Sequence, residues 1–252
     1  LLFAYNEDHQ YETVLKLYDE MLNKGIAVNE YSFIGILQSC SEIGSLNSCK
    51  CVHFDIVSTE CDKIPRVASS LIQAYGKCAS TIDSQEIFEG FDEPDIVVWT
   101  ACIQGYSGEG NALCSLCMYE RLKMSSLYPD QVSFNCILLA CVRDGLVRES
   151  IEYFKMMIRE CETLPGLVHY GILIDGLGRA GDFRRLERLL MSMPMPVDVN
   201  ICVSVLTACR AHGDNIELAE MVFDWAVDLR SERIYFDVKH LYKCWISKSH
   251  CY

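Results

Sequence analysis

The chain has 252 residues, half of them hydrophobic and 23% charged, with a formal net charge of −13. That balance supports a folded core and excludes an intrinsically disordered chain, and it lacks the cationic surplus on which non-specific nucleic-acid binding depends. No apolar run approaches the roughly 18–20 residues of a membrane-spanning helix. The opening LLFAYNEDHQ has neither a basic segment nor a cleavage site, so it is not a signal peptide.

It also begins inside a pattern. The sequence therefore reads as a fragment of a longer chain, with any targeting segment upstream. The 15 cysteines are odd in number and spread along the chain, many on apolar helical faces, such as Cys40, Cys141 and Cys209. Cysteine as a small buried residue in a reducing compartment is the expected use.

Self-similarity is the main signal. Ile36-Leu37-Gln38-Ser39-Cys40 returns as Leu138-Leu139-Ala140-Cys141 and as Val205-Leu206-Thr207-Ala208-Cys209. Cys40 and Cys141 lie 101 residues apart, as do Tyr5 and Tyr106. No single period fits, but a cycle of 35, 35 and 31 residues does.

In chain order the cycle gives Leu1–Asn29, which enters inside a first helix and carries a second in YETVLKLYDEMLNKG. Then come Glu30–Ile64, Pro65–Asp95, Ile96–Asp130, Gln131–Gly166, Leu167–Asp198 and Val199–Arg233. The tail 234–252 does not continue the pattern. Each unit reads as two short amphipathic helices. In Gln131–Gly166, Val132, Cys136, Leu139 and Ala140 would face the core from the first helix, and Val147, Ile151, Phe154 and Ile158 from the second.

Gly44, Gly110, Gly145, Gly181 and Gly213 mark the turns, where a left-handed residue ends a helix. Asp182 and Asp214 sit at N-cap positions, and Asp214 with Glu217 has capping-box spacing. Pro129, Pro165 and Pro196 fall in the links, where they break no helix hydrogen bond. A hairpin of this size buries its apolar stripe only by stacking on neighbours. The expected fold is all-α: a right-handed superhelical solenoid of helix-turn-helix repeats.

At these residues the chain resembles the pentatricopeptide-repeat (PPR) proteins, in particular the plant class that alternates P, L and S repeats. VVWTACIQGY is similar to a P-repeat first helix. SFIGILQSCSEIGSL and VSFNCILLACVRDGLV are similar to L repeats, and SSLIQAYGKC to an S repeat. HYGILIDGLGRAGDF with SMPMPVD resembles the last S repeat, and VSVLTACRAHGDNIELAE the E1 motif that follows it. The implied order is a partial P repeat at 1–29, L at 30–64, S at 65–95, P at 96–130, L at 131–166 and S at 167–198. An E1-like hairpin at 199–233 and a divergent tail at 234–252 follow. Tetratricopeptide repeats share the hairpin size, but their strict period of 34 and their Trp/Gly/Tyr pattern are not present.

The resemblance implies sequence-specific binding of single-stranded RNA in a mitochondrion or chloroplast, as a specificity factor for cytidine-to-uridine editing. In such repeats the fifth and last residues read one base, and the second residues of neighbouring units sandwich it. Carried over, Thr100 with Asp130 is the clearest reading pair, of a kind that favours guanine. Ser69 with Asp95 is a similar, weaker pair, with Arg66 in place of the usual apolar second residue. Asn135 is a fifth residue whose unit ends in Gly166. Val97 and Val132 are the sandwiching residues. Ile34 with Ile64, Gly171 with Asp198, and Val203 do not look like readers. The expected partners are single-stranded organellar RNA and editing-complex proteins or a deaminase acting in trans, for a monomer without membrane contact, cofactor or metal.

Other chemistry finds little support. Cys114-Ser115-Leu116-Cys117 lacks the two further ligands of a zinc site, so core packing is expected for both cysteines. None of the six histidines is followed by x-Glu, as a nucleobase deaminase requires. Gly105, Gly108 and Gly110 follow no strand and precede no Lys-Ser/Thr. Arg184, Arg185 and Arg188 read as a solvated helix face. The chain is thus expected not to be an enzyme. A protein-interaction scaffold with little RNA affinity is the alternative that the acidity favours.

Overall fold

A computed structural model describes residues 1–108, 111–161, 163–213 and 215–229. Gly110, Asp214 and the tail 234–252, each singled out in the sequence, lie outside the described residues. Among those described, every regular element is helical. The first helices of the hairpins, A helices below, are α1 (Leu2–Glu7), α3 (Glu30–Ile43), α5 (Pro65–Lys77), α7 (Ile96–Gly108), α9 (Gln131–Arg143), α11 (Leu167–Arg179) and α13 (Val199–His212). The second helices, B helices, are α2 (Tyr11–Asn23), α4 (Leu46–Ser58), α6 (Thr81–Glu89), α8 (Ala112–Met124), α10 (Val147–Arg159), α12 (Phe183–Met191) and α14 (Ile216–Asp228). A short 3-10 turn, Cys61–Lys63, joins α4 to α5. No described helix is long and apolar enough to cross a membrane.

The chain divides into two compact units, the first Leu1–Ala140 and the second starting at Cys141. In the first, each A helix packs on the next, α1 on α3, α3 on α5 and α5 on α7. Each B helix packs on its own A helix and on the next one: α2 on α3, α4 on α5, α6 on α7. The second unit repeats the scheme with α10 on α11, α11 on α12 and α13, and α13 on α14. The first unit holds a core that includes Phe33, Ile36, Leu37 and Cys40 of α3 with Leu71 and Tyr75 of α5.

The stripes of the fifth hairpin differ in part from the expected ones: Cys136, Ala140 and Phe154 are buried as expected. Val132 is 51% exposed and Ile158 45%, while Phe134, Ile137, Leu138 and Cys141 of α9, and Ser150 and Met157 of α10, are also buried. An apolar count skips the small polar residues that fill tight helix contacts. Ser150 is one, and Ser84 and Ser115 are others, each donating to an A-helix carbonyl twelve residues earlier, Ile72 and Ile103. Cys114 and Cys117 are also corrected: Cys114 is only partly buried and Cys117 is exposed, because Ser115, Met118 and Tyr119 form the buried face of α8.

The turns are built alike. Gly145 and Gly181 stand two residues past the ends of α9 and α11 with φ of 74° and 70°. His9 and Ala79 occupy the same place after α1 and α5, with φ of 58° and 56°. A Cβ in that left-handed region is disfavoured by about 1–2 kcal/mol, and glycine escapes the penalty. Ala79 is exposed, so nothing opposes the change to glycine. Ala79→Gly is expected to raise the unfolding free energy by about 1 kcal/mol in urea denaturation.

Candidate nucleic-acid interface

The first turns of the A helices place the residues singled out by the sequence. Asp95 caps α7, its Oδ1 accepting from the Val98 N–H at 2.9 Å. Asp130 caps α9, Oδ1 accepting from the Ser133 N–H at 2.8 Å. Asn29 and Asp198 cap α3 and α13 in the same way, through Ser32 and Ile201. Capping satisfies an N–H that a helix start leaves unpaired, and the negative charge suits the positive end of the helix.

Asp95 and Asp130 remain exposed while they cap. Two hairpins close differently. Ile64 precedes Pro65, which has no N–H to satisfy. Gly166 has no side chain, and its own N–H donates back to His169 Nδ1 at 3.0 Å.

With the start fixed, rotation along the helix assigns the faces. The second residues point outward: Val97 is 48% exposed, Val132 51%, Val168 60%, and Arg66 is exposed as well. The third residues Val98, Ser133 and His169 point into the core. The fifth residues lie at the edge between, with Thr100 7% and Ser69 6% exposed and Asn135 half-buried.

Their hydrogen bonding separates them. Ser69 Oγ donates to the carbonyl of Arg66, one turn back in its own helix, at 3.0 Å. Thr100 reaches across to the next A helix, its Oγ1 3.1 Å from Ser133 Oγ. Ser133 Oγ in turn donates to Asp130 Oδ1 at 2.8 Å. Asn135 Oδ1 is buried and finds no partner, a state that a buried acceptor tolerates only at some cost.

The structure therefore joins Thr100 and Asp130 through a third residue and leaves Ser69 and Asp95 unjoined. Sequence reasoning missed Ser133. Its signal is the spacing of an Asp or Asn three residues before a Ser, which also occurs as Asn29 to Ser32, where Ser32 Oγ donates to Asn29 Oδ1 at 2.9 Å. A second omission is a row of exposed glutamines, Gln38, Gln73 and Gln104, at the ninth position of α3, α5 and α7. Gln73 Nε2 donates to Gln104 Oε1 at 3.3 Å.

Burial pushes the Cys136 thiol up to about 12, and the charge of Asp130 adds to the rise. The other features sit in ordinary surroundings. Gly105 lies inside α7 against Gly76. His53 Nδ1 pairs with the Tyr75 hydroxyl, and the His212 ring stacks edge-on with Phe183. Arg184, Arg185 and Arg188 are exposed, and Arg185 pairs with Asp182. No group of three or more metal-ligating side chains occurs among the described residues.

Stacked helical hairpins whose A helices begin alike define a helical-repeat protein. Residues 1–26, 132–161 and 168–195 match the model of the PPR repeat family. A pentatricopeptide repeat-containing protein of Arabidopsis thaliana, named as mitochondrial, is 31% identical over 220 residues, covering 87% of this chain and 24% of that protein. Another from Arabidopsis thaliana, named as chloroplastic, is 32% identical over 225 residues, covering 88% of this chain and 45% of that one. The chain thus spans less than half the length of these relatives.

Among solved structures, the crystal structure of PPR10 from maize aligns with a TM-score of 0.70 at 18% identity, over 99% of this chain and 37% of that one. PPR10 in complex with an 18-nt psaJ RNA element gives 0.73, over 96% and 36%. These likenesses show the fold.

If the capping carboxylates hold the hairpin starts, their removal has unequal effects. Asp95→Ala is expected to destabilise by about 1 kcal/mol, the loss of one cap. Asp130→Ala loses both bonds to Ser133 and is expected nearer to about 2 kcal/mol, read as a shift in urea midpoint.

Proposed function

We propose that this chain is part of a sequence-specific single-stranded RNA-binding protein, in which A-helix residues read bases and no catalysis resides in the repeats. The observation that carries the reading is the alignment of exposed second residues, edge-lying fifth residues and capping last residues at successive A-helix starts. A base edge meets fixed polar atoms there, between apolar side chains such as Val97 and Val132. The named PPR10–RNA complex and the names of the Arabidopsis relatives support it, and those names support a mitochondrial or chloroplast location.

The finer reading is a specificity factor for organellar cytidine-to-uridine editing, with Pro65–Asp95 and Leu167–Asp198 as S-type units and 199–233 as an E1-like hairpin. A deaminase would then act from a downstream domain or in trans. Ser69, Thr100 and Asn135, with Asp95 and Asp130, are the proposed readers.

The net charge of −13 favours a second reading, a protein-interaction scaffold with little RNA affinity of its own. One experiment addresses both: selection from a random single-stranded RNA pool by the chain and by Thr100→Asn with Asp130 retained. RNA reading predicts that preference at one position moves from guanine toward uracil. A scaffold predicts no enrichment by either protein and capture of organellar partner proteins instead.

A further inference from the structure

We propose that Ser133, the third residue of the hairpin after the reading pair, is a positioning residue that sets base specificity by fixing the proton order between Thr100 and Asp130. The inference rests on the base-reading role proposed above and adds to it a residue outside the second, fifth and last positions.

The proton order follows from donor and acceptor capacity. An aspartate carboxylate at neutral pH only accepts, and a serine hydroxyl has one proton to give. Ser133 Oγ donates that proton to Asp130 Oδ1 at 2.8 Å. The 3.1 Å contact between Thr100 Oγ1 and Ser133 Oγ is then carried by the threonine proton. Ser133 is 0% exposed, so bulk water does not reach its hydroxyl.

Thr100 consequently offers a ligand only lone pairs, and so does the Asp130 carboxylate. Two acceptors presented together match two adjacent donors. Among the Watson–Crick edges only guanine has them, N1–H beside N2–H2. Adenine, cytosine and uracil each present at most one donor group on that edge. Ser133 thereby makes the pair selective through polarity as well as reach.

The neighbouring hairpin supplies an internal contrast. Its reading pair is Ser69 and Asp95, and the residue in the place of Ser133 is Val98, which has no hydroxyl. Ser69 donates to its own helix at the Arg66 carbonyl, and Asp95 Oδ1 accepts the Val98 N–H. A hydroxyl held only by a carbonyl one turn back re-aims its proton by a rotamer change, so it serves a ligand as donor or as acceptor.

The test uses the 252-residue chain and Ser133→Ala, with two measurements. The first is a crystal structure of each protein. The Thr100 hydroxyl is expected to point at residue 133 in the parent and to turn back to its own helix in the variant. An unchanged Thr100 rotamer in Ser133→Ala overturns the relay.

The second is selection from a random single-stranded RNA pool, with total RNA affinity and melting temperature recorded beside it. The parent is expected to enrich guanine at one position. Ser133→Ala is expected to lose about tenfold in guanine-over-adenine discrimination there, the size of one mismatched hydrogen bond, with other positions unaltered. Guanine preference retained in full by Ser133→Ala overturns the role of Ser133 and leaves the base-reading function standing. No preference at any position in the parent overturns the base-reading function, and this inference with it.

Discussion

The constraint on which the rest depends is the hydrogen bond between the last side chain of one hairpin and the third backbone N–H of the next A helix. Asn29, Asp95, Asp130 and Asp198 all make it, within 2.8–2.9 Å. A helix start is otherwise a loose joint, with several N–H groups unpaired. Once the third N–H is tied back, the rotation of the first turn is set. The second residue then faces out, the third faces in and the fifth lies at the seam between neighbouring A helices. At Asp130 the capping carboxylate is exposed and is joined through Ser133 to the fifth residue, Thr100. On the proposed RNA-reading role, stability and recognition would draw on one group of atoms there, and a change at the cap would move both.

Close approach of successive A helices is the second requirement. A Cβ built on Gly76 would meet Gly105 Cα at 2.8 Å, and one on Gly178 would meet Ala208 Cβ at 2.7 Å. Gly176 faces Val142 at 2.7 Å in the same way. Interiors this dense transmit small displacements instead of absorbing them. The Thr100–Ser133 bond spans the same kind of seam, between α7 and α9, and holds at 3.1 Å only while the helices stay at that separation. The glycines in mid-helix, unfavourable for an isolated helix, are what lets side chains on neighbouring repeats touch.

Much of this was legible in the sequence, and the exceptions share a cause. Turn glycines, link prolines and the Asp182 cap declare themselves because each solves a backbone problem that few residue types can solve. The all-helical hairpin array followed from period and pattern. The buried serines of α9 and α10 did not, because Ser133 and Ser150 are polar in composition and fully buried in fact. A hydropathy pattern cannot weigh a hydroxyl satisfied by a neighbour 33 residues away. The same blindness hid the bridge from Thr100 to Asp130: sequence placed both ends, and the middle residue looked like an ordinary helical serine. His9 and Ala79 also escaped notice, since neither advertises a left-handed backbone.

The acidity of the chain bears on how such a face would hold RNA. Eight basic side chains, Lys24, Lys50, Lys77, Arg121, Lys123, Lys155, Arg179 and Arg185, are engaged with carboxylates on the surface. Exposed pairs of this kind add little stability, yet each occupies a cation that could otherwise displace a phosphate counterion. Binding through phosphates would therefore be weak here, and with it the salt dependence that phosphate neutralisation brings. Contact with bases would then carry more of the binding: stacking against exposed valines and hydrogen bonds at the seams. On the RNA-reading proposal, an array of this composition would trade affinity for discrimination, because base contacts carry sequence information and phosphate contacts do not. In such an array the polarity of a single hydroxyl, fixed by its neighbour, weighs more than it would on a basic surface, where a mismatched base is held regardless.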